Sequence, residues 1–403
     1  MRTPLFYSLP PAGQKIPIPT LMRCLNGAGG TESNAKDRLE EYLGSKHLLF
    51  FSSGRAALWA ALKAFARLKP EKREVIIPAY SCPSVVSATL KAGLRPVLCD
   101  VDPTDLGFEQ DALARKINAG TLAVIVVHLY GYPARIGRAR KLCSDSGSYL
   151  IEDAAQAFGN TYIEHPDIKL GIAGDAGFFS FGRGKTMNLM HGGILTLSSS
   201  DTYEEVIRIY EGLNECSALE KLGYFMSLMI YMLFSNPRLF WLPQMVPSLN
   251  LGGTVFEPEF RKARGLNFVG KMAACMLDTI EEEKSVRAEN AAWYLSRLQE
   301  VLTGDNIARE GYPCLRYPFF VFDKEKRNRL LGTLVSMGTG ATGSYPTPLN
   351  ELPGLREVLS DATEYVHAKS ISEAIITLPV HSRVKAQDRE TIMGIVKKEF
   401  DEH

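Results

Sequence analysis

Short apolar runs alternate with amphipathic stretches along residues 30–200 of the chain. Seven of these runs are predicted to be strands, and they lie at 47–52, 74–78, 95–101, 122–128, 148–152, 177–181 and 193–197. Helical spacing of apolar positions is found between several of them, at 55–68, 83–92, 109–118 and 135–146. Strands that are apolar on both faces and separated by helices are typical of a sheet covered on both sides. The pattern therefore predicts an α/β fold with a large, mainly parallel, seven-stranded sheet, in which ligands bind at the carboxyl ends of the strands.

The C-terminal part of the chain has a different pattern, which predicts a smaller α+β domain. One long helix is predicted over 271–301, followed by strands at 317–322 and 374–378, a helix at 326–336 and a final helix from Ala386. The charged residues that we place on the solvated side of the long helix are Asp278, Glu281, Glu282, Glu283, Lys284 and Arg287. The predicted organisation is an N-terminal arm (1–30), a large domain (31–265), and the long helix with the small domain (266–403).

An apolar stretch interrupts the large domain at about 218–250. Residues 222–234 (LGYFMSLMIYMLF) carry no charge and are followed by Trp241 and further apolar residues. About 20 apolar residues are needed to cross a bilayer, so this stretch is too short to span one as a straight helix. Two interpretations remain open: a helix of the core or of a dimer interface, and a monotopic membrane contact through 222–246.

Composition and charge narrow the class of protein. The chain has 46 basic and 45 acidic residues, and this net charge of +1 argues against a nucleic-acid binder. Its seven cysteines are widely spaced and form no CxxC pair, so neither a metal site nor a disulfide framework is predicted. The N-terminus lacks the pattern of a signal peptide. We expect a cytoplasmic enzyme, with a peripheral contact on the inner face of the membrane as the open alternative.

Three segments carry candidate chemistry. Asp153 follows the predicted strand at 148–152, where a carboxylate can pair with a buried cationic ring nitrogen, although a cap or an ion pair is the commoner role. Gly54 lies in a strand-to-helix turn (Phe51 to Leu58, FSSGRAAL), and the N–H groups of such a turn suit a phosphate. Lys185 lies in a glycine-containing turn after the strand at 177–181.

Lys185 has three interpretations. It is a solvated surface lysine, the lysine of a P-loop, or a Schiff-base lysine whose amine is made nucleophilic by burial and nearby cations. The P-loop interpretation fails because that motif requires a glycine at position 179, which is Phe179. The phosphate turn, the acid and the lysine together match the three anchors that pyridoxal phosphate needs.

The sequence resembles the DegT/StrS-type sugar aminotransferases, which are fold-type I enzymes dependent on pyridoxal 5'-phosphate. The resemblance covers about residues 40–200 and resumes near Asn267 and at the C-terminus. The motifs that carry it are SSGRAAL, EVIIPAYSCPSVVSATLKAGLRPVLCDVDP, VHLYGYP, IEDAAQAFG, GDAGFFSFGRGK, HGG, GLNF and TLPVHSRV.

The resemblance implies a role for each matching residue. Lys185 corresponds to the Schiff-base lysine, Asp153 to the partner of the pyridinium nitrogen, and Gln156 to the residue facing the 3′-oxygen of the cofactor. The phosphate-binding positions are Gly54, Arg55, Ala56 and the hydroxyl of Ser180. Asn267 matches an asparagine that reaches the phosphate from the other subunit, which implies a homodimer with shared active sites.

Departures from the family pattern concern the surroundings of the cofactor. Cys82 stands where an aromatic residue usually stacks on the ring, and Arg55 replaces a usual threonine. His128 and Tyr345 are weaker candidates for substrate contacts, and His128 has a structural hydrogen bond as its alternative role. The implied activity is amino transfer from an amino acid, glutamate first, to a nucleotide-linked keto-sugar in surface glycan synthesis. A lipid-linked acceptor and a non-catalytic, cofactor-binding regulatory role remain as alternatives.

Overall fold

The computed structural model describes residues 6–28, 31–246, 253–302 and 311–401. Residues 1–5 and 29–30 of the predicted arm, and 247–250 of the predicted insert, lie outside the described residues. The boundaries of the three predicted parts remain predictions, whereas their individual helices and strands are compared below.

A seven-stranded sheet organises the large part of the chain. Its strands are β1 (Leu48–Phe51), β2 (Glu74–Pro78), β3 (Arg95–Cys99), β4 (Thr121–Val127), β5 (Tyr149–Asp153), β6 (Ala176–Ser180) and β7 (Gly193–Leu197). The strand order is β1-β7-β6-β5-β4-β2-β3, and the sheet is parallel from β6 through β3. Only β7 runs antiparallel to its neighbours β1 and β6. The predicted large, mainly parallel sheet is therefore confirmed.

Helices cover both faces of this sheet, as the apolar strands require. The helices of this part are α1 (Ile18–Arg23), α2 (Glu32–Leu43), α3 (Gly54–Leu68), α4 (Pro83–Lys91), α5 (Gln110–Lys116), α6 (Gly137–Ser146), α7 (Ser200–Glu211), α8 (Ala218–Phe234) and α9 (Trp241–Gln244). Successive residues of a strand enter different cores: Ile77 packs in the cluster around α3, and Ile76 packs in the cluster below α6. Alternation of side chains across the pleat thus buries both faces.

The prediction of one continuous helix over 271–301 is wrong. The structure has two helices, α10 (Asn267–Cys275) and α11 (Leu277–Leu298), which are separated at Met276. Met276 has φ −90° and ψ −3°, and its N–H donates to the carbonyls of Met272 and Ala273. The change of direction lets α10 pack against α2 while α11 leads to the C-terminal part.

The C-terminal part contains a two-stranded antiparallel sheet of β8 (Arg316–Phe320) and β9 (Ile375–Pro379). Its helices are α12 (Lys324–Ser336), α13 (Arg356–Leu359), α14 (Val366–Ala374) and α15 (Ala386–Asp401). The strands β8 and β9 and the helices α12 and α15 lie close to the predicted elements, whereas α13 and α14 were not predicted.

The apolar stretch forms α8, which is attached to the body of the protein by one face only. Ser217 and Glu220 form a capping box at its N-terminus. On its inner face, Tyr224 stacks on His191 at 3.6 Å between ring centroids, Leu228 is buried, and the Tyr231 hydroxyl donates to the Gln14 carbonyl. Since Leu228 is its only buried residue, the interpretation of α8 as a core helix is wrong for the described chain.

Three further findings concern the described residues only. None of their helices combines the length and hydropathy that a membrane crossing requires. They contain no cluster of His, Cys, Asp and Glu that would hold a metal ion. All seven cysteines are free thiols.

Candidate active site

The carboxyl end of β5 carries two adjacent carboxylates that face opposite sides of the sheet. Glu152 is fully buried and accepts four hydrogen bonds: from His128 Nε2 (2.8 Å), Tyr162 Oη (2.6 Å), and the N–H groups of Gly171 and Gly174. Although burial alone raises the pKa of Glu152, these donors outweigh it and hold the pKa below its ordinary value. Glu152 is therefore a structural anion.

Asp153 has a different environment. One carboxylate oxygen accepts the N–H of Ala155 at 3.0 Å, and the described residues give the other oxygen no hydrogen bond. Burial raises the pKa of Asp153, and the nearby Lys185 amine offsets this only in part. A buried carboxylate that has one oxygen without a hydrogen bond, and whose charge is only partly balanced, is suited to pair with a cation carried by a ligand.

His128 does not offer a hydrogen bond to a substrate, which corrects its assignment as a substrate residue. Its ring is fully buried, Nε2 is bonded to Glu152, and Nδ1 accepts the N–H of Ala134 at 3.2 Å. Both nitrogens are thus occupied by protein groups. His128 instead has the structural role that was its alternative, because its hydrogen bond holds the Glu152 carboxylate in place next to the site.

Lys185 lies in the turn between β6 and β7, half-buried and next to Asp153. The following residue anchors this turn twice, because the Thr186 hydroxyl donates to the Gln156 carbonyl at 2.7 Å and the Thr186 carbonyl accepts from Arg287 Nη2 at 3.1 Å. Gly184 supplies a left-handed residue, with φ +73°, just before the lysine. The chain segment that carries the amine is therefore held at both sides.

Arg287 and Glu283 are buried, which corrects their placement on the solvated side of the helix. Arg287 has no exposed surface, its Nε lies 3.5 Å from Glu283, and its Nη2 also donates to the Gly13 carbonyl at 2.9 Å. Two opposite charges four residues apart on a helix usually form an exposed pair. Here the N-terminal arm and the lysine turn cover them, and no feature of the sequence marks that cover.

The turn before α3 forms a narrow cradle beside Ser180. Ser53 caps the helix, accepting the Ala56 N–H at 3.1 Å, so the first turn of α3 presents its N–H groups at the end of the sheet. A Cβ on Gly54 would lie 2.9 Å from the Ser180 Cβ and 3.0 Å from the Phe179 carbonyl oxygen, and only glycine permits this approach. Gly54, Ala56 and Ser180, predicted together, are thus brought together.

The side chain of Arg55 does not lie in this cradle. Its guanidinium is paired with Glu257 at 3.1 Å and lies over the ring of Phe260. The expectation that Arg55 adds a cation for a phosphate is therefore corrected for the side chain, since its charge is already paired. The backbone of Arg55 remains part of the first turn of α3.

Gln156, Tyr345 and Cys82 form a cluster above Asp153. Gln156 Oε1 accepts the Tyr130 N–H at 2.7 Å, and its Nε2 donates to the Tyr345 hydroxyl at 3.2 Å. Burial raises the pKa of Tyr345 well above its ordinary value, and the neighbouring groups that act in the same direction include Cys82 and Asp153. Three residues predicted from separate motifs are thereby joined at one place.

Asn267 is not brought to these residues within one chain. It is exposed at the start of α10, beside a cavity of about 370 Å³ that α8 also lines with Tyr224 and Phe225. Among the described residues, no hydrogen bond joins it to Asp153, Lys185 or Ser180. A role at the phosphate would therefore require a second copy of the chain.

The arrangement fits the cofactor implied by the resemblance. The capped helix start with Ser180 suits a phosphate, Asp153 with its unused oxygen suits a ring cation, and Lys185 offers an amine between them. These three groups come from β6, β5, α3 and the turn after β6, all at one end of the sheet. The fit rests on the glycine cradle and on the incompletely bonded buried carboxylate.

Comparison with protein families gives an independent result. The family model described as the DegT/DnrJ/EryC1/StrS aminotransferase family matches residues 25–223 and 267–397. The interval that it leaves unmatched, 224–266, contains most of α8 and all of α9. The predicted apolar insert therefore lies largely in the part of the chain that the family model does not match.

Two curated relatives illustrate the similarity. GDP-perosamine synthase of Vibrio cholerae is 33% identical over 188 residues, which cover 45% of this chain and 50% of the relative, so the match spans half the length of that protein. The dTDP-4-dehydro-2,3,6-trideoxy-D-glucose 4-aminotransferase of Saccharopolyspora spinosa is 30% identical over 363 residues, covering 89% of this chain and 86% of the relative.

Solved structures share the fold. PseC of Helicobacter pylori, an aminotransferase involved in the biosynthesis of pseudoaminic acid, superposes with a TM-score of 0.77 at 18% identity, covering 98% of this chain and 100% of its own. CalS13 of Micromonospora echinospora, a sugar aminotransferase, has a TM-score of 0.74 at 20% identity, covering 97% and 99%.

Proposed function

We propose, from the premise that this chain belongs to the DegT/DnrJ/EryC1/StrS aminotransferase family, that it uses pyridoxal 5'-phosphate to transfer an amino group from an amino acid to a keto-sugar. Glutamate is the proposed donor, and a nucleotide-linked sugar is the proposed acceptor. The observation that carries the proposal is the convergence of Lys185, Asp153 and Gln156 at the carboxyl edge of the sheet. Relatives named for GDP- and dTDP-linked sugars support the acceptor class.

Each residue has a distinct task in this proposal. The chemistry that pyridoxal phosphate supplies when bound is an electron-accepting ring, which stabilises the charge left on a carbon that loses a proton. Asp153 would hold a proton on the ring nitrogen, because its unused oxygen could accept that N–H and its negative charge would favour the cation. Lys185 holds the cofactor and later moves a proton through Nζ, acting as base and then as acid. Gln156 and Tyr345, which are hydrogen-bonded to each other, would contact the cofactor ring away from Asp153.

The half-reaction with donor alone tests this function. The protein loaded with cofactor is mixed with glutamate or glutamine, and the loss of visible absorbance as the cofactor takes up the amino group is recorded. We expect conversion with one of these donors, followed by return of the absorbance when a GDP- or dTDP-linked keto-sugar is added. Cofactor binding without conversion by any amino acid would instead favour the non-catalytic regulatory role.

A homodimer with composite sites belongs to the same proposal. Asn267 is exposed and has no hydrogen bond to Lys185 among the described residues, and it corresponds to a residue that crosses the subunit interface in the family that the sequence resembles. A second copy would complete the phosphate cradle.

We further propose that α8 binds the surface of a membrane, which would place the acceptor near lipid. Its outer face forms a ridge of exposed apolar side chains, which we call the α8 ridge: Leu219, Leu222, Met226, Ile230 and Leu233, exposed by 78, 57, 49, 54 and 55%. The spacing of three and four residues places them along one side of the helix. At the end of the ridge, the Trp241 ring lies 4.8 Å from that of the exposed Phe6 in a tilted arrangement, which adds aromatic side chains of the kind found at lipid interfaces.

The charges around this ridge favour an anionic lipid surface over a second copy of the chain. Residues 222–246 contain Arg238 as their only charged residue, and residues 6–28 contain Lys15 and Arg23 but no acidic residue. All three cations are exposed. The one acidic residue within the span of the ridge, Glu220, is paired with Arg261. The apolar side chains are therefore bordered mainly by cations, and such a surface is attracted to anionic headgroups.

Vesicle binding checks the membrane proposal. Leu222→Asp combined with Ile230→Asp should weaken binding to phosphatidylglycerol vesicles about 100-fold, since each leaves ~1.5 kcal/mol of burial unrealised. Val335→Asp, which replaces an exposed apolar residue of α12, is the matched control. Unchanged co-sedimentation of the double variant would contradict the proposal, and an altered oligomeric state without vesicle binding would assign the ridge to a second copy.

A further inference from the structure

Arg316 places a guanidinium beside the cluster of Tyr345 and Gln156 without an acidic partner. Its Nη2 donates to the Thr342 hydroxyl at 2.5 Å, and its Nε is buried without any hydrogen bond among the described residues. The buried Arg287, by comparison, has Glu283 at 3.5 Å. In the part of the chain that the structure describes, no carboxylate pairs with Arg316. An arginine in such surroundings needs an anion.

The titratable groups that act electrostatically on this guanidinium are phenols, which do not supply that anion. They are Tyr130, Tyr345 and Tyr80. Burial raises the pKa of each tyrosine above its ordinary value, so all three stay neutral near neutral pH. Burial also lowers the pKa of Arg316 to about 10, which leaves it protonated at neutral pH. The positive charge is therefore permanent and uncompensated.

Hydrogen bonds lead from this cation towards the proposed reaction centre, because the Thr342 hydroxyl that accepts from Arg316 also accepts the Ser344 N–H at 3.2 Å. Tyr80 Oη donates to the Tyr345 carbonyl at 3.4 Å, and Tyr130 Oη donates to Ser344, so the segment around Tyr345 is fixed on both sides. Tyr345 in turn accepts from Gln156, three residues after Asp153. Arg316 is thus linked through Thr342 and Ser344 to the segment that contacts Gln156, and the residue as a whole is half-buried.

We propose that Arg316 is the receptor for a carboxylate of the substrate, and that in the first half-reaction this is the carboxylate of the amino-acid donor; the inference rests on the proposed function. A single planar guanidinium matches a single planar carboxylate through two parallel N–H···O bonds. The neighbouring tyrosine hydroxyls can donate to the same oxygens. A phosphate has its own binding position at the start of α3, so the two anions of the reaction are received at different places.

Binding to the cofactor-free protein tests this receptor separately from activity. Isothermal titration with glutarate, a dicarboxylate that undergoes no transamination, is compared with glutaramide, its neutral analogue. We expect the wild-type protein to bind glutarate and not glutaramide. Arg316→Gln should lose glutarate binding. Arg316→Lys should keep part of it, because lysine retains the charge but lacks the two parallel N–H groups of the guanidinium. Arg329→Gln, on α12, is the control and should bind glutarate as the wild-type protein does.

The half-reactions then identify the source of the carboxylate. Arg316→Gln is expected to lower kcat/KM for glutamate about 10- to 100-fold, the usual worth of a hydrogen bond to a charged group. A loss confined to the keto-sugar half-reaction would assign the carboxylate to the acceptor. Unchanged glutarate binding and unchanged half-reactions in both Arg316 variants would overturn the proposal. Failure of the proposed function itself is distinguishable, because wild-type protein would then not convert the cofactor with any donor.

Discussion

Lys185→Ala is expected to abolish amino transfer, with a fall in rate of about 10⁴-fold or more, because no other amine is placed to move the proton. The variant should also lose the visible absorbance of the lysine-bound cofactor. Spectroscopic titration with pyridoxal phosphate and a glutamate half-reaction measure the two effects together. Lys141→Ala, on the exposed side of α6, is the matched control and should behave as wild type. A Lys185→Ala protein that retains both absorbance and turnover would refute the assignment.

The same variant tests the composite site. Lys185→Ala and Asn267→Ala are each expected to be inactive, but a refolded equal mixture should recover about one quarter of the wild-type sites through random pairing. In the mixed dimer, the Lys185 of one subunit meets the Asn267 of the other. If the mixture stays inactive although mixed dimers form, Asn267 acts within its own chain. An Asn267→Ala protein that is active by itself would show that Asn267 has no role in the site.

Asp153→Asn and Glu152→Gln are expected to have opposite consequences, although the two acids are adjacent. Asp153→Asn removes the charge that holds the ring cation and should lower kcat about 10²- to 10³-fold, a loss comparable to that of one preorganised electrostatic group. Glu152→Gln removes an anion that accepts four donors and should destabilise the fold by ~3 kcal/mol. The glutamate half-reaction and denaturant unfolding of the same samples separate the two effects.

The pH dependence of stability should differ in sign between these variants. The folded protein holds the pKa of Glu152 below its ordinary value of 4.5, so the stability that Glu152 contributes is present above pH 4.5 and is lost as the pH falls below it. Burial raises the pKa of Asp153 above 3.8, so its ionisation weakens the cofactor-free fold as the pH rises. Asp153→Asn should therefore be at least as stable as wild type at pH 7. A less stable Asp153→Asn protein would contradict this balance.

The positions of the strands and of the helices between them follow from the local pattern of apolar and polar residues. The runs at 122–128 and 148–152 are apolar on both faces, which only a doubly covered strand accommodates, and they match β4 and β5 within one residue. Candidate residues that lie in short motifs could likewise be predicted from the sequence, because each of them occurs close to the end of a strand. These residues are Gly54, Asp153, Gln156 and Lys185. Their convergence follows from parallel strands having their carboxyl ends at one edge.

Features that depend on partners distant in the chain could not be predicted from the sequence. Glu283 and Arg287 have the spacing of an exposed helical pair, and only the packing of the N-terminal arm buries them. Arg55 occupies a predicted phosphate position, but Glu257, 202 residues away, takes its side chain. Arg316 follows no motif, and its unpaired charge is recognisable only from the three tyrosines around it.

The sequence by itself therefore determined the sheet, the family and the residues at the strand ends, since these depend on periodicity and on neighbours close in the chain. The tertiary structure alone decided which charges are buried, which are paired and which remain available for a ligand. It also decided that α8 presents an apolar face outward, because the same 13 uncharged residues would suit a core helix equally well. The reason is physical: burial and counter-charge are properties of a surrounding that the chain creates only when remote segments meet.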